Sequence, residues 1–122
     1  MPGRTVIISG ATSGLGFATA RALLTQGERV VILGPDVAQV DDSREQLKRQ
    51  TGCEVQGHAC DFRFPAEVET LSNELRTLYP TVDVLMNNAG VLLQKPQPTT
   101  EGFETTWAVN YLAPWLLSVR ML

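Results

Sequence analysis

The stretch that decides the fold is Thr5-Val6-Ile7-Ile8-Ser9-Gly10-Ala11-Thr12-Ser13-Gly14-Leu15-Gly16. Its first five residues are rich in β-branched side chains and predict a strand, which the glycines after it terminate. A helix is predicted from Gly14 to Gln26, with Gly27 as its stop. The apolar residues at helical spacing, which should form its buried face, are Leu15, Ala18, Ala22 and Leu23.

The same alternation of strand and helix continues along the chain. Further strands are predicted at 30–33, 54–59 and 82–86, and further helices at about 37–50, from Pro65 to before Pro80, and from about Gly102 onward. Parallel strands need crossover connections, and helices supply them. The predicted fold class is therefore α/β, a doubly wound, Rossmann-like parallel sheet truncated to about four strands in the order 3-2-1-4.

Length and composition narrow the function classes. With 122 residues, the chain forms at most one domain, 1–122. Its net charge of -3 argues against a nucleic-acid partner, and its longest apolar runs are far shorter than a membrane span. No secretory signal is evident, and Cys53 and Cys60 are expected to be free and buried. These features together predict a cytoplasmic protein without a transmembrane segment.

The glycine loop between the first strand and helix has the chemistry of an anion site. Gly10 is expected to make the tight turn, Gly14 to let a pyrophosphate approach the backbone, and Gly16 to let the helix pack closely. Thr12 and Ser13 add hydroxyl donors. The alternative is a loop that only turns the chain, but its position at the first strand–helix junction favours phosphate binding.

The Gly-x-x-x-Gly-x-Gly spacing resembles the Thr-Gly-x-x-x-Gly-x-Gly motif of short-chain dehydrogenases/reductases, with Ser9 in place of threonine. Three further stretches support this resemblance: Asp61 after the third predicted strand, Asn87-Asn88-Ala89-Gly90, and the segment 102–110, the last especially as in retinol-dehydrogenase-like reductases. The resemblance covers essentially the whole chain. It implies an NAD(P)-dependent oxidoreductase that acts on an alcohol or carbonyl substrate.

The resemblance also implies which residues bind NAD or NADP. Asp61 matches an aspartate that accepts a hydrogen bond from the adenine amino group, although a helix cap or a solvated charge is the alternative. Asp36 favours NAD only marginally, so the choice between NAD and NADP stays open. The implied cofactor-binding residues are Ser9, Gly10, Thr12, Ser13, Gly14, Leu15, Gly16, Asp36, Asp61, Phe62, Asn88, Ala89 and Gly90.

Asn110 matches the helix asparagine of the family's catalytic tetrad, whose carbonyl holds a water in a proton relay. Pro114 lies four residues later and has no N–H to bond that carbonyl, so the helix should kink there. A kink that only serves packing is the alternative. The family's Tyr-x-x-x-Lys is absent, because Asp83 and Trp115 stand four positions after the two tyrosines, Tyr79 and Tyr111.

The sequence is therefore expected to represent the cofactor-binding N-terminal part of a larger enzyme, incomplete at its C-terminus, inactive alone and with an exposed fourth strand. The rival hypothesis is a non-catalytic dinucleotide-binding or interaction module. The expected partner is a small-molecule substrate, and a homo-oligomer could form through the last helix. No metal cluster is evident, and His58 is expected to be structural. Trp107 and Trp115 should be core or oligomer-contact residues.

Overall fold

A computed structural model describes residues 3–90 and 104–122. It contains a four-stranded sheet whose strands are β1 Thr5–Ser9, β2 Arg29–Gly34, β3 Gln56–Ala59 and β4 Val84–Met86. All pairings are parallel, in the order β3-β2-β1-β4, with Val6 opposite both Val30 and Val84. The predicted parallel α/β fold and strand order are confirmed.

The chain divides into two compact units, one of Met1–Ala59 with Thr81–Asn88 and one of Cys60–Pro80 with Ala89–Leu122. The first unit contains the whole sheet together with α1 Gly14–Thr25 and α2 Val37–Thr51. Alternate residues of β1 and β2 form its core with these helices: Val6, Ile8, Val30, Ile32, Ala20, Leu24, Val40 and Leu47. The intervening strand residues Ile7, Val31 and Leu33 are also buried, as expected for a central parallel strand pair.

The predicted buried face of α1 is partly wrong. Leu15 is 75% exposed and Ala22 is also exposed, whereas α1 buries Gly16, Ala20 and Leu24. Small residues at i and i+4 let this helix approach the sheet closely, so its larger Leu15 is turned outward. Val37 at the start of α2 is likewise exposed.

The second unit contains α3 Pro65–Leu78, α4 Thr105–Trp107, a π-helical segment Ala108–Leu112 and α5 Ala113–Met121. Pro65 is the first residue of α3, as predicted, and Val68, Leu71 and Leu75 form its buried stripe. Leu78, the last residue of α3, is exposed. Helix α3 packs against α5, whose Leu117 is fully buried. Residues 91–103, including Gly102, lie outside the described residues.

Candidate functional site

The glycine loop ends β1 and leads into α1 with two residues in the left-handed region of backbone space. Gly10 has φ 64° and Gly14 has φ 56°, conformations that glycine adopts without steric cost. Ser13, the residue before α1, is extended and its side chain makes no capping hydrogen bond. The first turn of α1 contains no acidic residue. The N–H groups and the positive dipole end of α1 are therefore not offset by a local side chain, which suits an anion.

Gly14 and Gly16 have different structural environments although they lie only two positions apart. A Cβ at Gly14 would have nothing within 4 Å, so the backbone at this point faces open space. A Cβ at Gly16 would come within 2.2 Å of the Gly10 carbonyl oxygen and 2.5 Å of Asn88 Nδ2. Gly16 is thus needed for packing against the loop, whereas Gly14 leaves room for a ligand.

Asn88, directly after β4, is bonded to the glycine loop. Its side-chain Nδ2 donates to the Gly10 carbonyl at 3.1 Å, and its backbone N–H donates to Ser9 Oγ at 3.0 Å. The buried Ser9 hydroxyl in turn donates to the Met86 carbonyl at 3.4 Å. The substitution of serine for the family's threonine therefore keeps the hydroxyl that links the two strand ends.

Asp36 is the N-cap of α2. Its Oδ1 accepts from the Gln39 backbone N–H at 2.9 Å and its Oδ2 from Gln39 Nε2 at 2.7 Å. Thr12 Oγ1 of the glycine loop lies 3.4 Å from Gln39 Oε1. Sequence reasoning overlooked Gln39, although Asp-x-x-Gln has the spacing of a capping box. Contact of Asp36 with a ribose stays a prediction, and so do the contacts of Thr12 and Ser13 with phosphate.

In the second unit, Asp61 is paired with Arg63. The Asp61 carboxylate accepts from the Arg63 backbone N–H and from its guanidinium, with Nε 3.0 Å from both Oδ atoms. The side-chain hydrogen bond from Arg63 holds the pKa of Asp61 below its ordinary value. Phe64, not Asp61, precedes α3 as its N-cap, so the alternative that Asp61 caps this helix is wrong. The pairing of Arg63 with Asp61 was not predicted, and the only sequence feature that indicates it is the separation of the two residues by two positions.

Two side chains beside Asp61 are buried. Cys60 has a free thiol whose pKa burial raises to about 12, with the carboxylates of Glu67 and Asp61 adding to the shift. The thiol is therefore protonated and unreactive at neutral pH. Phe62 is buried as well, so a ligand at this position would meet its backbone rather than its ring. Cys53 also has a free thiol, but it is only partly buried.

The π-helical segment lies where the sequence predicts an irregular helix. The Ala113 N–H donates to the Ala108 carbonyl, five residues back, and Pro114 follows directly. Proline has no N–H to form the α-helical bond with Asn110 and its ring crowds that carbonyl, so the helix widens by one residue in this turn. Asn110 is exposed, and its Oδ1 lies 3.4 Å from the position of a Cβ on Gly90. Its catalytic role stays a prediction.

The remaining predicted residues are Leu15, which is exposed, and Ala89, which is partly buried. Trp107 and Trp115 are exposed rather than core, and Trp107 stacks on Tyr111 with ring centroids 5.8 Å apart. Across residues 3–90 and 104–122, no group of three or more His, Cys, Asp or Glu residues is arranged to hold a metal ion. In the same part of the chain, no helix has the length and apolar character needed to cross a membrane.

Comparison with known proteins places these features in one family. The chain is 41% identical over 118 residues to the Streptomyces protein named "Putative daunorubicin C-13 ketoreductase DnrU", 37% identical to mouse retinol dehydrogenase 14 and 32% identical to mouse retinol dehydrogenase 12. These alignments cover 97%, 100% and 100% of this chain but 41%, 40% and 39% of the relatives. The chain thus spans about two fifths of the length of the relatives that it matches.

Solved structures agree with the sequence relatives. A short-chain dehydrogenase from Sphingobium yanoikuyae in complex with NADPH superposes with a TM-score of 0.81 at 28% identity, over 97% of this chain and 47% of that one. The citronellol catabolism dehydrogenase of Pseudomonas aeruginosa superposes with a TM-score of 0.80 at 30% identity, over 99% of this chain and 50% of that one. The short chain dehydrogenase family itself matches residues 4–122. The chain therefore belongs to the short chain dehydrogenase family of oxidoreductases.

Proposed function

We propose that this chain is the dinucleotide-binding part of an NAD(P)-dependent oxidoreductase that acts on an alcohol or carbonyl substrate. The observation that carries the proposal is the start of α1. Gly14 opens space beside the uncapped N–H groups of α1, and nothing charged in the first turn competes for them. A pyrophosphate is an anion of the kind that such a helix start favours.

The cofactor proposal is supported by relatives as well as by geometry. The Sphingobium enzyme, at 28% identity over nearly the whole chain, is in complex with NADPH. In the present chain, the backbone around Gly10 and Gly14 would hold the pyrophosphate, and Asp61 would accept from the adenine amino group. When bound, the cofactor supplies the hydride chemistry, whereas these residues supply position and charge compensation.

The substrate class is proposed from the names of the sequence relatives, which include retinol dehydrogenases and a ketoreductase. Reaction at an alcohol or carbonyl needs a group that moves a proton to or from the substrate oxygen. Neither Tyr79 nor Tyr111 has a lysine four residues later, so these 122 residues lack the pair that does this in the family. We expect the chain by itself to bind the cofactor without reducing a carbonyl. Asn110 is the proposed member of the family's tetrad within it.

Titration of the purified chain with NADH and NADPH, followed by cofactor fluorescence, tests the proposal. A saturable fluorescence change with either cofactor is expected, whereas no change with both would refute a nucleotide-binding role. The same titration decides between NAD and NADP. Addition of a simple aldehyde to the NADH complex should leave the absorbance at the reduced nicotinamide band constant, since no proton donor of the Tyr-x-x-x-Lys type is present.

A second role, self-association through the last helix, is favoured by a separate observation within the second unit. Four large apolar residues spaced four apart, Trp107, Tyr111, Trp115 and Val119, are each exposed by 45% or more. Such a row on one helix face is typical of a contact surface. Sedimentation velocity of the chain should show a dimer that Trp115→Glu converts to monomer, whereas a monomer at all concentrations would contradict this role.

A further inference from the structure

The Asp61 carboxylate accepts hydrogen bonds from a neighbouring residue of its own chain, Arg63. Arg63 donates to it from three nitrogens, the backbone N–H to Oδ1, Nε to both oxygens, and Nη2 to Oδ2. A carboxylate has about four acceptor sites, two on each oxygen. Each carboxylate oxygen therefore accepts from two nitrogens of Arg63, with the single Nε–H shared between the two oxygens.

The pair is fixed but accessible to a ligand. The Arg63 guanidinium lies over the Phe64 ring, 5.1 Å from its centroid, which restricts where the arginine fork can point. The exposed fraction of the side chain is 50% for Arg63 and 25% for Asp61, so both partners face solvent. A nucleobase amino group that approaches Asp61 would therefore compete with a guanidinium that already donates to the carboxylate.

We propose that Arg63 is an internal competitor for Asp61, which weakens recognition of the nucleobase amino group and so limits the affinity of the chain for its dinucleotide. This inference rests on the proposed function, in which Asp61 accepts from that amino group. Binding then requires the guanidinium to give up at least one carboxylate acceptor site. The amino group takes the site, and the arginine turns toward solvent.

The chain keeps Asp61 oriented even when the guanidinium is gone. The Arg63 backbone N–H still donates to Oδ1 at 3.0 Å, and the Asp61 backbone N–H donates to Glu67 Oε1 at 3.3 Å. Neither bond depends on the arginine side chain. Substitution of Arg63 should therefore free acceptor sites on Asp61 without releasing the carboxylate from its position.

The test is the dissociation constant of NADH for the wild-type chain, Arg63→Ala and Arg63→Lys. An exposed ion pair is weak, so both variants should bind NADH about two- to fivefold more tightly than the wild type. Arg63→Lys keeps the positive charge but loses the planar guanidinium. This variant therefore separates the effect of the guanidinium's hydrogen bonds to Asp61 from the effect of a positive charge on an anionic cofactor. Arg76→Ala removes an exposed positive charge on α3 of the same unit and should leave the dissociation constant unchanged.

Two further measurements locate the effect. Reduced nicotinamide mononucleotide has no adenine, so its dissociation constant should be the same for the wild type and both Arg63 variants. Salt screens an exposed pair, so the ratio between wild-type and Arg63→Ala affinities for NADH should shrink as the salt concentration rises. Weaker or equal NADH binding by both variants would overturn the inference. Absence of NADH binding to the wild type would instead overturn the proposed function beneath it.

Discussion

The side-chain amide of Asn88 donates to the backbone carbonyl of Gly10 at 3.1 Å, so the turn after β4 is fastened to the turn after β1. The two turns lie side by side because β4 pairs with β1 in parallel, with Ile8 opposite Met86. Gly10 has a positive φ that its neighbours must maintain. The bond from Asn88 is one of the contacts that hold the glycine loop in its shape.

Asn88→Ala should lower the free energy of unfolding by about 1–2 kcal/mol, because it removes this hydrogen bond and leaves the Gly10 carbonyl without that donor. Urea denaturation followed by circular dichroism measures the change. Asn73→Ala is the matched control, since Asn73 is exposed on α3 and the same substitution there should be neutral or slightly stabilising. Equal stability of the two variants would show that the loop does not need the bond.

Gly14→Val should abolish or strongly weaken binding of NADH, by about tenfold or more, because its side chain would fill the space proposed for the pyrophosphate. The variant should still fold, since a Cβ at this position meets nothing within 4 Å. Gly27→Val controls for the strain, because Gly27 has φ 89° and equally open surroundings after the other end of α1. Each variant should lose about 1–2 kcal/mol of stability from the left-handed backbone. Unchanged NADH affinity in Gly14→Val would remove the loop from the proposed site.

Pro114→Ala should convert the π-helical turn to α-helix, because residue 114 gains an N–H that can bond the Asn110 carbonyl. Trp107 directly precedes the π-helical segment and Tyr111 lies within it, and their rings stack at an interplanar angle of 21°. Their near-ultraviolet circular dichroism should therefore change. Hydrogen exchange should show a protected amide at position 114.

Pro65→Ala is the matched control for this variant. Pro65 occupies the first position of α3, where no intrahelical hydrogen bond is lost, so its replacement should leave the aromatic signal as it is. An identical near-ultraviolet spectrum for Pro114→Ala and the wild type, with a freely exchanging amide at 114, would show that the proline does not cause the π turn.

Cys60 should make the chain less stable in alkali. Burial raises the pKa of its thiol to about 12, so the folded chain keeps a proton that the unfolded chain loses at about pH 8.5. Between about pH 8.5 and pH 12, stability therefore falls as pH rises. The unfolding free energy of Cys60→Ala should decline less over this range than that of the wild type, and parallel declines would argue against the buried thiol. Cys53→Ala, which also removes a free thiol, is the matched cysteine variant for this comparison.

Asp61 should contribute in the opposite pH range. The Arg63 hydrogen bond lowers the pKa of its carboxyl in the folded state, so the stabilisation is present above the unfolded value of about 3.9 and is lost as pH falls through the folded one. Because the pair is partly exposed, the loss should be less than about 1 kcal/mol. Acid unfolding curves of Asp61→Asn should be flatter below pH 4 than those of the wild type. Superimposable curves would mean that the pair adds nothing to stability.

Much of the fold could be predicted because strands buried on both faces and glycine-terminated helices leave strong local patterns. β1 was predicted at its observed bounds, and Pro65 was correctly identified as the first residue of α3. The inward face of α1 was not, since a search for large apolar residues selects Leu15 over Gly16. Close approach of a helix to a sheet requires the smaller residue, and only the tertiary structure reveals how close that approach is.

The candidate site could be predicted at the level of backbone positions but not of side-chain pairing. Glycine spacing indicates where a turn must be tight, and Gly10 and Gly14 do have positive φ. By contrast, the resemblance assigns Asp36 and Asp61 to the cofactor and gives no role to Gln39 and Arg63, which donate to these carboxylates in the structure. A carboxylate is satisfied by whichever donor its local turn brings nearest, and that depends on the conformation of a few residues.

The hydroxyl of Ser9 imitates a peptide group at the end of a strand pair. It donates toward the Met86 carbonyl as an N–H would, and it accepts from the Asn88 N–H as a carbonyl would. The ladder between β1 and β4 thus gains one more rung, supplied by a side chain. Threonine in place of serine would keep this hydroxyl, whereas valine, with threonine's shape but no hydroxyl, would remove the rung.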